Sequence, residues 1–320
     1  MTQRLTKLST KPNSAKSGPL TNSLSTELVV PQPFLKWAGG KKRLVPAILQ
    51  MIPVMSGTYF EPFLGAGAVM FAQPLAKQKV VSDFNEELVN VYLTIRDDVE
   101  ELIENLRIHT NSQEYFTEIR NLDRDGSFVE LPKVARASRF IFLNRTCFNG
   151  LYRVNSKGQF NVPFGRYKNP DFVQEKLLRS VSNFLNMQST SDSGGYLVDI
   201  HCGDFAAATQ FATTGDFVYF DPPYEPLSST SAFVSYQSGG FSQSDQRRLC
   251  EEMKRLTSLG VYVLQSNSST ELIHSLYSDR ELFEVQELEV HRGIGAKSSS
   301  RGTVTEVFIS NFCAVRKLTS

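Results

Sequence analysis

Residues Phe60-Glu61-Pro62-Phe63-Leu64-Gly65-Ala66-Gly67-Ala68 constrain the fold of this chain more than any other stretch. They continue an apolar run that contains Thr58-Tyr59 and lead into a helix-like run from Val69 to Lys77, so the two glycines sit at a strand-to-helix junction. Such a junction opens a β-α-β unit, which needs a parallel partner strand and helices to cover the sheet. Lys79-Val80-Val81-Ser82-Asp83 supplies the partner. With strands near 58–62 and 79–83, further strand-like runs near 196–201, 216–220, 260–265, 283–290 and 304–311 alternate with helical patterns. The pattern predicts an α/β sheet with helices on both faces.

Between Ser112 and Asn186 the strand signal disappears. Asn85 can cap a helix running through Arg96, and Asp97 to Ile108 reads as the next helix. Amphipathic runs follow at Leu131 to Phe148 and Asp171 to Leu185, separated by a Gly-, Asn- and Pro-rich loop from Asn149 to Pro170. At 320 residues the chain exceeds one typical core. The expected organisation is a disordered leader at 1–30, a main domain formed by 31–84 and 188–320, and a mostly helical domain inserted at 85–187. The leader is rich in Ser, Thr, Lys and Pro, without a signal-peptide core, and the expected location is cytoplasmic. Four cysteines lie scattered without a Cys-x-x-Cys pair, so neither a metal site nor a disulfide scaffold is expected. No apolar run is long enough to predict a membrane span.

Glycines at 65 and 67 let a ligand approach the backbone, and the helix start behind them offers free N–H groups. Asp83, about twenty residues on, stands where a carboxylate takes ribose hydroxyls. A dinucleotide site would ask for a third glycine at position 70, which is Met. A cofactor with an adenosine and a methionyl tail fits the pattern better. Asp221-Pro222-Pro223-Tyr224 follows the apolar strand Asp216 to Phe220. A carboxylate and a carbonyl held by rigid prolines can accept both N–H bonds of an amine on a flat ring, with the phenol as a stacking face. As a turn alone, Asp-Pro-Pro would look much the same. The net charge is only +1, yet Lys133, Arg136, Arg139, Arg145, Arg153, Lys157, Arg166, Lys168, Lys176 and Arg179 face only Asp171 and Glu175 between positions 132 and 180. On a nearly neutral protein this is a local footprint for phosphates, although a solvated helical face explains Lys176 and Arg179 well enough and fails only for the loop from Arg153 to Lys168.

Phe34-Leu35-Lys36-Trp37-Ala38-Gly39-Gly40-Lys41, the glycine segment, Asn149 to Arg153, Phe160 to Tyr167 and Asp221 to Leu227 together resemble the DNA adenine-N6 methyltransferases of the Dam-like, D12 class, in the family's order. The resemblance runs from about Phe34 to about Phe312. It implies a Rossmann-like S-adenosylmethionine-dependent methyltransferase sheet, an inserted target-recognition domain, and double-stranded DNA as the partner of a monomer. Asp221, Pro222 and Tyr224 would be catalytic on a flipped adenine; Trp37, Lys41, Phe63, Gly65, Gly67, Asp83 and Asp221 would line the cofactor site. Lys36, Leu151, Arg153 and Pro163 match positions that meet the base edges of GATC. Phe148, where the family often has Tyr, would wedge beside the extruded base, with Asn149 in the same DNA-facing loop, and Arg166 and Tyr167 would hold phosphates. A lid is expected at Pro226 to Gly240, and phosphate contacts by Lys297 and Arg301. Other readings are a longer adenine site, a cytosine-N4 enzyme, one acting on RNA or on a protein amide, or an inactive DNA-binding protein of the same fold.

Overall fold

The computed structural model describes residues 30–73, 76–191, 194–227, 241–291 and 303–313. Residues 1–29 of the expected leader, the lid beyond Leu227 and the loop bearing Lys297 and Arg301 lie outside the described residues.

Seven strands form one sheet: β1 (Tyr59–Glu61), β2 (Lys79–Asp83), β3 (Val198–Cys202), β4 (Phe217–Phe220), β5 (Tyr262–Ser268), β6 (Glu284–His291) and β7 (Thr303–Ser310). Their order is β3-β2-β1-β4-β5-β7-β6, with β1 to β5 parallel and β7 antiparallel to both its neighbours. The alternating pattern predicts the α/β sheet and the resemblance its Rossmann-like form; the antiparallel β7 makes the sheet mixed. Chain order reverses between β1 and β4, and ligands of such sheets bind in the crevice at the carboxyl ends of the strands there. The glycine segment leaves β1, Asp83 ends β2 and the Asp-Pro-Pro-Tyr tetrapeptide leaves β4, so all three meet at that crevice.

Side chains alternate across the sheet with the period of two that a strand imposes. Tyr59, Phe217, Tyr219 and Leu264 face α1 (Val45–Met51), whereas Phe60, Val218, Phe220 and Val263 join Leu249, Met253 and Leu256 on the other face. Two elements differ from the sequence reading. The helix after the glycines, α2 (Ala68–Ala72), ends well before Lys77. The buried Lys79 ammonium caps its end by donating to the carbonyls of Met70 and Gln73. Strand β5 runs three residues beyond the expected end, through Ser266-Asn267-Ser268. These polar side chains resemble a loop in sequence, yet they are fully buried and β5 pairs there with β7.

The stretch without strands forms α3 (Glu86–Asp97), α4 (Val99–Ile108), α5 (Gln113–Asn121), α6 (Lys133–Thr146) and α7 (Glu175–Leu185). Asn85 caps α3 by accepting from the Leu88 N–H at 3.2 Å. Leu88, Val91, Leu102, Ala137, Phe140 and Leu178 share one apolar cluster with Val81, Val198 and Ile200 of the sheet. A smaller cluster of Phe116, Phe142, Leu143, Cys147, Phe160 and Val162 underlies the loop after α6.

Candidate active site

The glycine segment is held from three sides. Gly65 and Gly67 adopt φ of +49° and +70°, which favours glycine. A Cβ on Gly65 would come within 2.8 Å of the Trp37 indole, so the backbone can lie against that ring only without a side chain. The Gly65 N–H donates to Asp83 Oδ2 at 3.0 Å, the Tyr92 hydroxyl donates to the Gly65 carbonyl at 3.0 Å, and Asp83 Oδ1 accepts from the Asn85 N–H at 2.9 Å. Burial pushes the Asp83 carboxyl above its usual range, and the backbone N–H bonds oppose that shift. Trp37 stacks on Tyr152, with centroids 5.6 Å apart. Phe63 stacks on Phe205 at 5.6 Å. At the end of β1, burial pushes the Glu61 carboxyl up to about 8, although it accepts from the Tyr59 hydroxyl at 2.7 Å.

At the end of β4, Asp221 is fixed by two donors. Lys41 Nζ lies 2.6 Å from Asp221 Oδ1, and Ser266 Oγ donates to the same oxygen at 2.8 Å. Because the single Ser266 proton goes to Asp221, the Tyr219 hydroxyl at 3.0 Å must donate to Ser266. Lys41 also donates to the Gly39 carbonyl at 2.7 Å and sits 4.7 Å from the centroid of the Tyr224 ring. The tetrapeptide backbone is tied down just as firmly. Gln246, on α9 (Gln243–Ser258), following the four-residue α8 (Phe205–Ala208), donates to the Pro223 carbonyl at 3.0 Å, and the Glu225 N–H donates to Asn267 Oδ1 at 3.0 Å. The Tyr224 hydroxyl donates to Glu306 Oε2 on β7 at 2.8 Å.

The loop after α6 brings the predicted base-reading residues to one side. Asn144 is buried; its Oδ1 accepts from the Lys36 N–H at 2.9 Å, while its Nδ2 donates to the carbonyls of Lys36 at 2.7 Å and Gly150 at 3.2 Å. Gly150 has φ +63°, and a Cβ there would overlap the Lys36 side chain, so this glycine permits the close approach. The Phe148 N–H donates to the Pro163 carbonyl at 2.8 Å. Phe148 and Leu151 are exposed apolar side chains, and Asn149 and Arg166 have positive φ. Arg153 Nε donates to Asn161 Oδ1 at 2.7 Å, and Lys36 Nζ lies 4.1 Å from the Tyr167 ring centroid. Behind the loop, His109 stacks on Phe142 at 4.4 Å and bonds the Tyr115 and Ser138 hydroxyls at 3.0 Å each. Burial brings its imidazole down to about 4.

The basic stretch needs a correction. Arg136 pairs with Glu87, the buried Arg139 pairs with Asp123 at 2.8 Å, and Arg179 pairs with Glu100 and Glu175. These three guanidinium groups hold helices together, because Glu87, Glu100 and Asp123 from outside the run, which spacing along the chain cannot reveal, fold back onto them. Exposed Arg153, Lys157, Arg166 and Lys168 belong to the loop itself. Sequence reasoning also missed Ser266, Glu306, Gln246 and Asn144, whose roles depend on partners 21 to 108 residues away. The only available signal was a polar run, Gln265 to Ser268, next to an apolar strand. Among the described residues, no His, Cys, Asp and Glu group could hold a metal ion, and no helix is long and apolar enough to cross a membrane.

The family model of the D12 class N6 adenine-specific DNA methyltransferases matches residues 37–291. The chain is 48% identical over 294 residues to the type II methyltransferase M1.LlaDCHI of Lactococcus lactis subsp. cremoris, covering 91% of this chain and 99% of that protein. It is 37% identical over 300 residues to the type II methyltransferase M.MjaIII of Methanocaldococcus jannaschii, covering 88% and 99% respectively. It is 32% identical over 281 residues to the DNA adenine methylase of Escherichia coli, covering 86% and 93%.

Proposed function

From the premise that the chain belongs to the D12 class of N6 adenine-specific DNA methyltransferases, we propose that it methylates the adenine of GATC in duplex DNA, with the base flipped into the β1/β4 crevice. The observation that carries this reading is the convergence of Lys41 and Ser266 on Asp221 Oδ1, beside the Tyr224 ring.

Membership of the family and the fold imply S-adenosylmethionine as methyl donor. The residues fit that group: Gly65 and Gly67 leave backbone where a side chain would strike Trp37 or Tyr92, and the buried Asp83 carboxyl stands at the end of β2. Trp37, Lys41, Phe63, Gly65, Gly67, Asp83 and Asp221 are the residues assigned to it. When bound, it supplies a methyl group on a positively charged sulfur that leaves without acid assistance.

The rest is done by the protein. Adenine N6 is a weak nucleophile because its lone pair is delocalised into the ring. Since two donors address Asp221 Oδ1, we assign Oδ2 to one amino hydrogen and the Pro222 carbonyl to the other; the Pro223 carbonyl already accepts from Gln246. Accepting both hydrogens draws N6 towards a tetrahedral form and aims its lone pair, and Asp221 Oδ2 then takes the proton that N6 sheds. Tyr224 provides the stacking face, worth about 1–3 kcal/mol. Positioning and fixed charge therefore carry the rate, with no covalent intermediate.

Target reading is assigned to Lys36, Leu151, Arg153 and Pro163. Arg suits a guanine edge, and Leu and Pro suit a thymine methyl. Phe148 is the wedge and Asn149 shapes its turn; Arg166 and Tyr167 hold phosphates. A monomer on duplex DNA is proposed. Two relatives are named type II methyltransferases and another DNA adenine methylase, and methylation of adenine in DNA is the activity those names share with this reading. The test is to methylate a plasmid and map N6-methyladenine in every sequence context. Modification at GATC is expected, and modification centred on another sequence would overturn the target.

A further inference from the structure

We infer that Glu306 is a positioning residue for the reaction: its carboxyl group takes the Tyr224 hydroxyl and so fixes the plane of the ring on which the base stacks. The inference rests on Tyr224 being that platform. Glu306 lies on β7, in register with Ser268 of β5, in a strand whose next residues, Val307, Phe308 and Ile309, are buried and apolar. A carboxyl group is costly on such a strand unless it is hydrogen-bonded. Glu306 is only 7% exposed, and its Oε2 accepts from Tyr224 at 2.8 Å. The bond joins residues 82 apart, so local chain geometry does not explain it.

The consequence follows from how a tyrosine is held. Its backbone is fixed on both sides, by Gln246 at the Pro223 carbonyl and by Asn267 at the Glu225 N–H. That anchors the Cα end alone. A bond at the hydroxyl anchors the far end, so the ring can neither swing away from Asp221 nor tilt against an incoming base. Ser266 does the corresponding work for Asp221, leaving carboxylate and ring in a fixed relation before substrate arrives. A preset platform lowers the cost of capturing an extruded base and of holding it in line.

The experiment uses the full-length protein, with a duplex carrying 2-aminopurine at the target position to report extrusion and single-turnover methylation of the unmodified duplex to report transfer. Glu306→Ala should slow single-turnover transfer roughly tenfold to a hundredfold, the scale of one lost buried hydrogen bond, while the KM for cofactor is unchanged. Glu306→Gln, which can still accept from the hydroxyl, should restore most of the rate. Tyr224→Phe should reproduce the Glu306→Ala defect, and the double variant should be no slower than either single one. Additive losses, a Gln variant as slow as the Ala variant, or a rate loss that merely tracks the unfolded fraction would overturn the inference. Should Glu306→Ala fail to fold, the Gln and Phe variants still decide the matter. Tyr224→Ala separates the two layers of the argument. If it retains full extrusion and transfer, the platform reading itself falls; if it is inactive while Glu306→Ala behaves as the parent, only the role of Glu306 falls.

Discussion

The proposed catalytic crevice and the loop from Cys147 to Tyr167 are held in place by opposite means. In the crevice, Asp221, Tyr224 and the glycine segment are each tied to side chains from buried strands and helices: Ser266, Glu306, Asp83 and Tyr92. Around the loop, the ties run largely through backbone groups, with Asn144 gripping carbonyls and Phe148 pairing with Pro163, while Arg153, Phe148 and Leu151 remain accessible. Transfer chemistry tolerates little misplacement, so its groups are locked from behind. Recognition needs side chains free to meet a partner, so the scaffold there holds the chain and leaves the tips open.

The largest expected effect breaks the crevice without touching the loop. Asp221→Ala should reduce methyl transfer by roughly a thousandfold or more, while DNA affinity, dominated by phosphate contacts elsewhere, stays within about tenfold. Comparable loss of binding in a gel-shift titration would show that the two regions are not separable in this way.

Next in size is an effect of acid on the support of the loop. His109 has its folded pKa lowered to about 4 from an ordinary 6.5, so its contribution to stability is present above about pH 6.5 and is lost as the pH falls through 4. Across that window the loss amounts to about 3 kcal/mol. Urea unfolding of the parent and of His109→Phe at pH 7 and pH 4.5 measures it. The variant should lack this part of the pH dependence, and identical slopes for both proteins would remove His109 from the account.

Arg153→Ala tests the loop from the other side. It should relax the requirement for one guanine of GATC by about 1–3 kcal/mol, measured by competition among single-base variants of the site at one fixed salt concentration. Undiminished discrimination would refute its role. The smallest effect belongs to the exposed Lys168, whose change to Ala should weaken binding to all sequences alike and lower the salt dependence by about one counterion. A change confined to GATC duplexes would instead make Lys168 a reader of bases.

The sequence is legible where a feature is carried by neighbours along the chain. Apolar strands ending in Asp83 and Asp221, and glycines between a strand and a helix, announce both the sheet and the crevice, because periodicity and turn chemistry are local. Ser266 and Glu306 look like ordinary polar residues because their meaning comes from β5 and β7 lying beside β4, which is a matter of sheet order. The arginines of α6 and α7 illustrate the converse error. Counted along the chain, Arg136, Arg139 and Arg179 augment a basic patch, whereas in the fold Glu87, Asp123 and Glu100 consume them. A charge run records what is near in sequence, and an electrostatic surface records what is left over after pairing.

Asn144 has a practical consequence for anyone wishing to redirect this scaffold. Because it grips both Lys36 and Gly150, residues separated by more than a hundred positions, the proposed recognition loop is not a cassette that can be exchanged by itself. A transplanted loop arrives with its own demands on the backbone of the Phe34–Lys41 segment, and that segment also carries Trp37, against which Tyr152 of the loop stacks. Retargeting by exchange of parts must therefore move the two stretches as a matched pair, together with the asparagine that joins them.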